Sequence, residues 1–129
     1  MTEISLANRV AYALANGDKE IPVKLSAPGV KGNAMKYTVA GVASAPANND
    51  RLGPICILTQ AGSTDDIVKA IIKGPVQAKS GTTFIIGSLL DASSDLEVDA
   101  LATQTNGNGF ARALEAAATA GDLVWVNIL

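Results

Sequence analysis

Hydrophobic and polar positions alternate in short stretches along this chain, and glycine closes almost every stretch. Glu20 to Leu25 sets Ile21, Val23 and Leu25 against Glu20, Pro22 and Lys24, the period of two that marks a half-buried strand. Pro22 has no amide donor for a ladder, so this strand is expected at a sheet edge. Val10 to Ala15 is a short apolar run closed by Asn16-Gly17-Asp18, and Asn-Gly predicts a tight hairpin turn. Tyr37 to Ser44 is expected to be a strand, and Ala45 to Gly53 an exposed loop. Pro54 to Gln60 is apolar without alternation, which fits a strand buried on both faces.

The second half reads the same way. Asp66 to Lys73 has a cap-like Thr64-Asp65-Asp66 ahead of it, but Ile67, Val68, Ile71 and Ile72 are β-branched. The β reading prevails over a helix, with the strand continuing past Gly74-Pro75 to Lys79. Ser80-Gly81 then turns into a strand over Thr82 to Ile86. Asp95 to Gln104 is expected to be a further strand, and residues 105 to 109 a flexible turn. Phe110 to Glu115 and Leu123 to Leu129 form a terminal hairpin around Ala116 to Asp122, with Val124, Val126 and Ile128 on one face. The alternative for the alanines from 111 to 118 is one helical stretch. The expected fold is all-β, a small barrel or sandwich of short antiparallel strands with room for one short helix. All 129 residues make one domain. Residues 1 to 8 are a candidate N-terminal arm, in which Ile4 and Leu6 alternate with Glu3 and Ser5.

Composition narrows the function. Apolar residues make up 48% of the chain, but aromatics only 4%, and many of the rest are alanine. Alanine buries little area, so the core is thin and a partner subunit is expected to complete it. Ten basic and twelve acidic residues are scattered, giving a net charge of −2. Nothing tracks a phosphate backbone and few rings are free to stack on bases, which argues against nucleic-acid binding. No run approaches the roughly 18 apolar residues of a membrane span. The opening MTEISLANRV lacks the basic and apolar regions of a secretion signal, so the chain is expected to be made in a cytoplasm.

Chemistry is hard to find. The chain has no histidine and one cysteine, Cys56, set between Ile55 and Ile57 as a small buried hydrophobe would be. Without histidine the commonest general base and metal ligand are missing. A zinc site of ordinary composition cannot be built. Gly107-Asn108-Gly109 is no dinucleotide fingerprint. Asp91 to Asp99 is rich in carboxylates but lacks the central glycine and closing glutamate of a calcium loop. We therefore expect no enzyme activity, no cofactor and no metal. Trp125, the single tryptophan, is expected in a core or subunit interface.

Three segments carry a resemblance. They are residues 66–78 (DIVKAIIKGPVQA), residues 80–87 (SGTTFIIG) and residues 108–126 (NGFARALEAAATAGDLVWV). Together they resemble the small capsid cement, or head-decoration, proteins of tailed bacteriophages, although Phe110 stands where that pattern more often has a small aliphatic. The resemblance implies a compact β-fold on the outer surface of a virion, bound to a major capsid protein and self-associated as a homotrimer or homodimer. Glu3, Ile4, Ser5, Leu6 and Trp125 are the residues expected at partner interfaces. The rival readings are a small ligand-binding β-barrel and another virion part, such as a tail-tube or head-completion subunit.

Overall fold

The computed structural model describes residues 5–48, 50, 54–101, 104 and 109–129. The first element is a helix, α1 (Leu6–Ala15), where the short apolar run is expected to lead into a hairpin. Ser5 caps it, accepting a hydrogen bond from the Asn8 amide at 3.2 Å, and Leu6, Val10 and Ala13 fall on one face at helical spacing. The Asn-Gly pair ends the helix instead of turning a hairpin. Asn16 is the C-terminal cap, and Gly17 takes the left-handed conformation, φ 70°, that follows it.

Ten strands follow among the described residues. Five of them, β1 (Glu20–Leu25), β2 (Ala34–Tyr37), β3 (Val42–Ser44), β4 (Ile55–Leu58) and β5 (Ile67–Ile71), close into a barrel in the order β1-β3-β2-β4-β5. The stretch from Tyr37 to Ser44 is thus not one strand. It breaks at Gly41, φ 85°, whose amide donates to the Thr38 carbonyl, so that β2 and β3 form a hairpin.

β1 is not an edge strand either, for it pairs with β5 along its length and with β3 in parallel. Pro22 is tolerated there because of where its nitrogen points. Amides two residues apart face the same neighbour, and Lys24 donates to Gly41 on the β3 side. The β3 pairing begins only at Lys24, so no ladder bond is lost at Pro22.

The barrel interior is filled by Ile21, Val23, Leu25, Met35, Cys56 and Leu58, with Val10 and Ala13 of the helix packed against them. The other strands, β6 (Gly74–Lys79), β7 (Leu89–Ala92), β8 (Val98–Ala100), β9 (Ala111–Ala113) and β10 (Leu123–Ile128), form a second sheet in the order β6-β10-β9-β7-β8. A parallel bridge between Ser80 and Val98 brings β8 back to the end of β6, so this sheet curls almost into a second barrel. Its inner face holds Val76, Ala78, Leu90, Ala111, Val124 and Val126.

The all-β fold with one short helix is as expected, and so is the terminal hairpin, in which β9 and β10 pair antiparallel. Val124, Val126 and Ile128 are buried together there, and the alanines from 111 onward begin as a strand, not a helix. Two other expectations are corrected. Thr82 to Ile86 is an irregular loop held by the Phe84–Ala117 bridge, by the Ala100 amide donating to the Thr82 hydroxyl and by the burial of Phe84, and Ile85 and Ile86 are left exposed. The long strand from Ile67 to Lys79 is interrupted at Ile72-Lys73, and its halves lie in different sheets. The loop expected over 45–53 and the turn over 105–109 fall partly outside the described residues.

Gly74 is where the chain crosses between the sheets. Its φ is 91°, a left-handed conformation costly for any residue with a side chain, although there is room for a Cβ at van der Waals distance from Lys19. Gly74→Ala is therefore expected to lower stability by about 1–2 kcal/mol through backbone strain alone. Urea denaturation would read this as a lower midpoint with an unchanged slope.

Candidate interaction surface

The cysteine and the acidic stretch are the places where chemistry would be housed. Cys56 is fully buried, and burial pushes its thiol up to about 12, so it stays protonated and is no nucleophile. Asp91 and Asp99 stand directly opposite each other across the β7–β8 pair. Among the described residues, no three acidic, histidine or cysteine side chains converge as a metal site would require.

Asp99 is raised above its ordinary 3.8 chiefly by burial, with the charges of Glu97 and Asp95 adding to the effect. Its Oδ1 is buried without a hydrogen-bond partner, and a side chain at Gly81 would collide with it. Lys79 lies 3.7 Å from Glu97 and offsets part of this negative field.

An acid whose folded pKa is raised keeps its proton where the unfolded chain has released it. Asp99 thus opposes folding increasingly as pH rises from 3.8 through its folded value, and most at neutral pH. Asp99→Asn is expected to raise the urea midpoint at pH 7, and the gain should vanish as the pH falls below 3.8. A gain independent of pH would mean that the carboxylate charge is not its source.

The second sheet presents a different kind of site on its outer face. Alternation places Leu123, Trp125 and Asn127 of β10 outward while Val124, Val126 and Ile128 point in. Trp125 stands opposite Gln77 of β6. On its other side the Leu114 amide donates to the Trp125 carbonyl at 2.9 Å, just beyond the end of β9. The chain then turns away, and Glu115 takes over the ladder. Its Oε1 accepts a hydrogen bond from the Trp125 amide at 2.7 Å. Arg112, outward on β9, donates to the Gly87 carbonyl at 2.8 Å and so reaches the loop that carries Ile85 and Ile86.

The result is an apolar stripe where a solvated sheet face should be polar. Trp125 is 45% exposed, Leu123 46% and Leu114 48%, and the loop reached by Arg112 leaves Ile86 67% and Ile85 75% exposed. Beside it, between the barrel and the second sheet, runs a groove of about 290 Å³. Trp125, Gln77 and Pro75 line one side, and Lys31, Thr59 and Ile71 the other.

Among the residues expected at partner interfaces, Trp125 lies on this surface and not in either core. Glu3 and Ile4 lie outside the described residues. Ser5 and Leu6 are elsewhere, as the cap and first residue of α1, and Leu6 packs partly buried against the barrel core. They do not continue an extended strand, because the Ser5 cap already commits the backbone to a helix. Nothing in the sequence marks Leu114, Ile85 and Ile86 as surface residues, since each sits in a stretch that reads as an ordinary strand.

Comparison with solved structures finds a clear likeness. The fold is shared with the head fiber gp8.5 N base of bacteriophage phi29. The TM-score is 0.66, with 85% of this chain and 92% of that chain covered, at 16% sequence identity. No protein-family model matches the sequence, and no curated protein does. The likeness therefore rests on backbone architecture and not on shared motifs. The match spans most of both chains, so it includes the barrel and the second sheet together.

Trp125 contributes to the surface more than to the core. Its replacement by alanine is expected to cost about 1–2 kcal/mol, against about 2–5 kcal/mol for Leu90→Ala in the second core. Equal losses in urea denaturation of dilute protein would show that Trp125 is a core residue.

Proposed function

We propose that this chain is a structural protein of a bacteriophage head, attached to the outer surface of the shell through the major capsid protein, and that it acts as a cement or decoration subunit. The observation that carries the reading is the shared fold with a phage head-fiber base over 85% of the chain. The sequence resemblance to head-decoration proteins points the same way from different evidence, the residues from 66 to 126. A half-exposed tryptophan in an apolar stripe supports it further, because such patches on small proteins mark contact with other proteins. On this reading the protein acts by occupying a lattice site, and no bond is made or broken.

The test is made on particles. Virions are purified from cells that carry the gene, and their heads are separated from tails and examined by mass spectrometry and immunogold labelling. The chain should be found on DNA-filled heads in a fixed ratio to the major capsid protein, with label on the outside. Its presence in purified tails, or only in the soluble fraction once particles have assembled, would refute the proposal.

A further inference from the structure

The groove beside Trp125 is a trough closed at both ends. Its barrel wall carries Leu58, Thr59 and Ile71, and its sheet wall is β6 from Pro75 to Gln77. At one end the two walls are a single stretch of chain, since residues 72–74 alone separate Ile71 from Pro75. At the other end the Lys79 amide donates to the Gly32 carbonyl and the Gly32 amide to the Leu58 carbonyl, which ties β6 to β4. The steps from Pro75 to Lys79 span about 13 Å. An extended strand pairing along β6 would have to run past both closures. A compact ligand would not, and the volume of about 290 Å³ is at the small end for ligand pockets.

The β6 wall of this trough is an open main-chain edge. The Trp125 amide and carbonyl face Glu115 and Leu114, away from β6, so the Trp125–Gln77 pair exchanges no ladder bonds. The Gln77 amide and carbonyl therefore point away from β10, as the Lys79 amide does, and the Pro75 carbonyl points the same way. Among the described residues nothing bonds to these groups or to the Gln77 side-chain amide. Fixed donors and acceptors thus stand side by side, which suits hydroxyl groups, since each hydroxyl both donates and accepts.

Trp125 adds an apolar platform on a backbone held from both sides. The negative face of an aromatic ring attracts polarised C–H groups, such as those on one face of a pyranose ring. A ligand without hydroxyls could cover the indole, but it would strip water from the Gln77 amide and carbonyl and give nothing back. Lys31 is the one ionisable side chain in the lining, and among the described residues it makes no ion pair. With no carboxylate lining the trough, that cation selects for an anion on the ligand.

We infer that the trough between β6 and the barrel binds a saccharide of one or two pyranose rings that carries a carboxylate. One ring face lies on Trp125, hydroxyls meet the main chain and side-chain amide of Gln77, and the carboxylate lies at Lys31. The inference does not rest on attachment to a phage head, because the trough belongs to the free protein.

A glycan array probed with the labelled full chain tests it, followed by titration of the best-retained sugar in free form. Trp125 is the single tryptophan, so its emission reports on the trough directly. Glycans bearing uronic or sialic acid should be retained, and emission should change and saturate as the free sugar is added. Trp125→Ala should abolish retention. Gln77→Ala should weaken binding by about fivefold, the loss of a neutral hydrogen bond. Wild type should prefer the acidic sugar over its neutral alcohol analogue by about tenfold, and Lys31→Met should erase that preference. If Trp125→Ala loses its cooperative melting transition, the Lys31 and Gln77 variants decide the matter. An array on which wild type retains no glycan would overturn the inference. So would emission that the best-retained sugar leaves unchanged, or a preference for the acid that survives Lys31→Met.

Discussion

The fold depends on a wall buried on both sides. In β4 the side chains of Ile55 and Ile57 point into the second core, while those of Cys56 and Leu58 point into the barrel. β2 repeats the arrangement with Ala34 outward and Met35 inward. Neither unit could bury its apolar surface without this shared partition. The barrel would expose Ala34, Ile55 and Ile57, and the second sheet would lose the floor of its core. Cys56 fits the wall because a thiol is small and apolar when protonated, and its burial holds it in that state.

A shared wall requires the chain to leave one sheet and enter the next without a long connection. Gly74 provides the crossing, just after Ile72 and Lys73 separate it from β5, in a conformation open to glycine. The same economy recurs where β6 ends. Ser80 is fully buried, its hydroxyl donates to the Thr119 carbonyl, and the backbone beside it bridges to β8. This one bridge covers the end of the β8 edge and so shortens the free edge that would otherwise invite another strand. Association through strand addition is thereby discouraged, and the face of the sheet is left as the place for contact.

Legibility follows the periodicity. β1, β4 and the β9–β10 hairpin are evident from sequence because alternation, or its absence in a doubly buried strand, extends over a whole element. Where the signal is shorter it misleads. Asn16-Gly17 serves a hairpin or a helix C-terminus equally well, and only the spacing of Leu6, Val10 and Ala13 decides between them. Ile85 and Ile86 have strand-forming side chains, yet they sit in a loop, since β propensity reflects a fit to a pleated surface more than a backbone preference. Trp125 is singled out as a partner-facing residue by its rarity. The residues beside it stay invisible, because Leu114 and Arg112 become neighbours of Trp125 only through cross-strand register.

The alanine content acquires a different meaning from the one its abundance first suggests. A thin core implies a subunit waiting for a partner to complete it. In the structure Ala78, Ala92, Ala111, Ala113 and Ala117 all point into the second core. Barrel width grows with strand number, and about eight strands give an interior just wide enough for ordinary side chains to fill. Five strands curled together leave less, so alanine is the size that fits beside Phe84, Leu90 and Phe110. The core is narrow by geometry, and it is closed. Any drive to associate must therefore come from outside the core. On the same sheet, one residue along from the buried positions of β10, Leu123 and Trp125 remain half exposed. The apolar surface that a partner would cover belongs to the outer face, and it could be removed without opening either core.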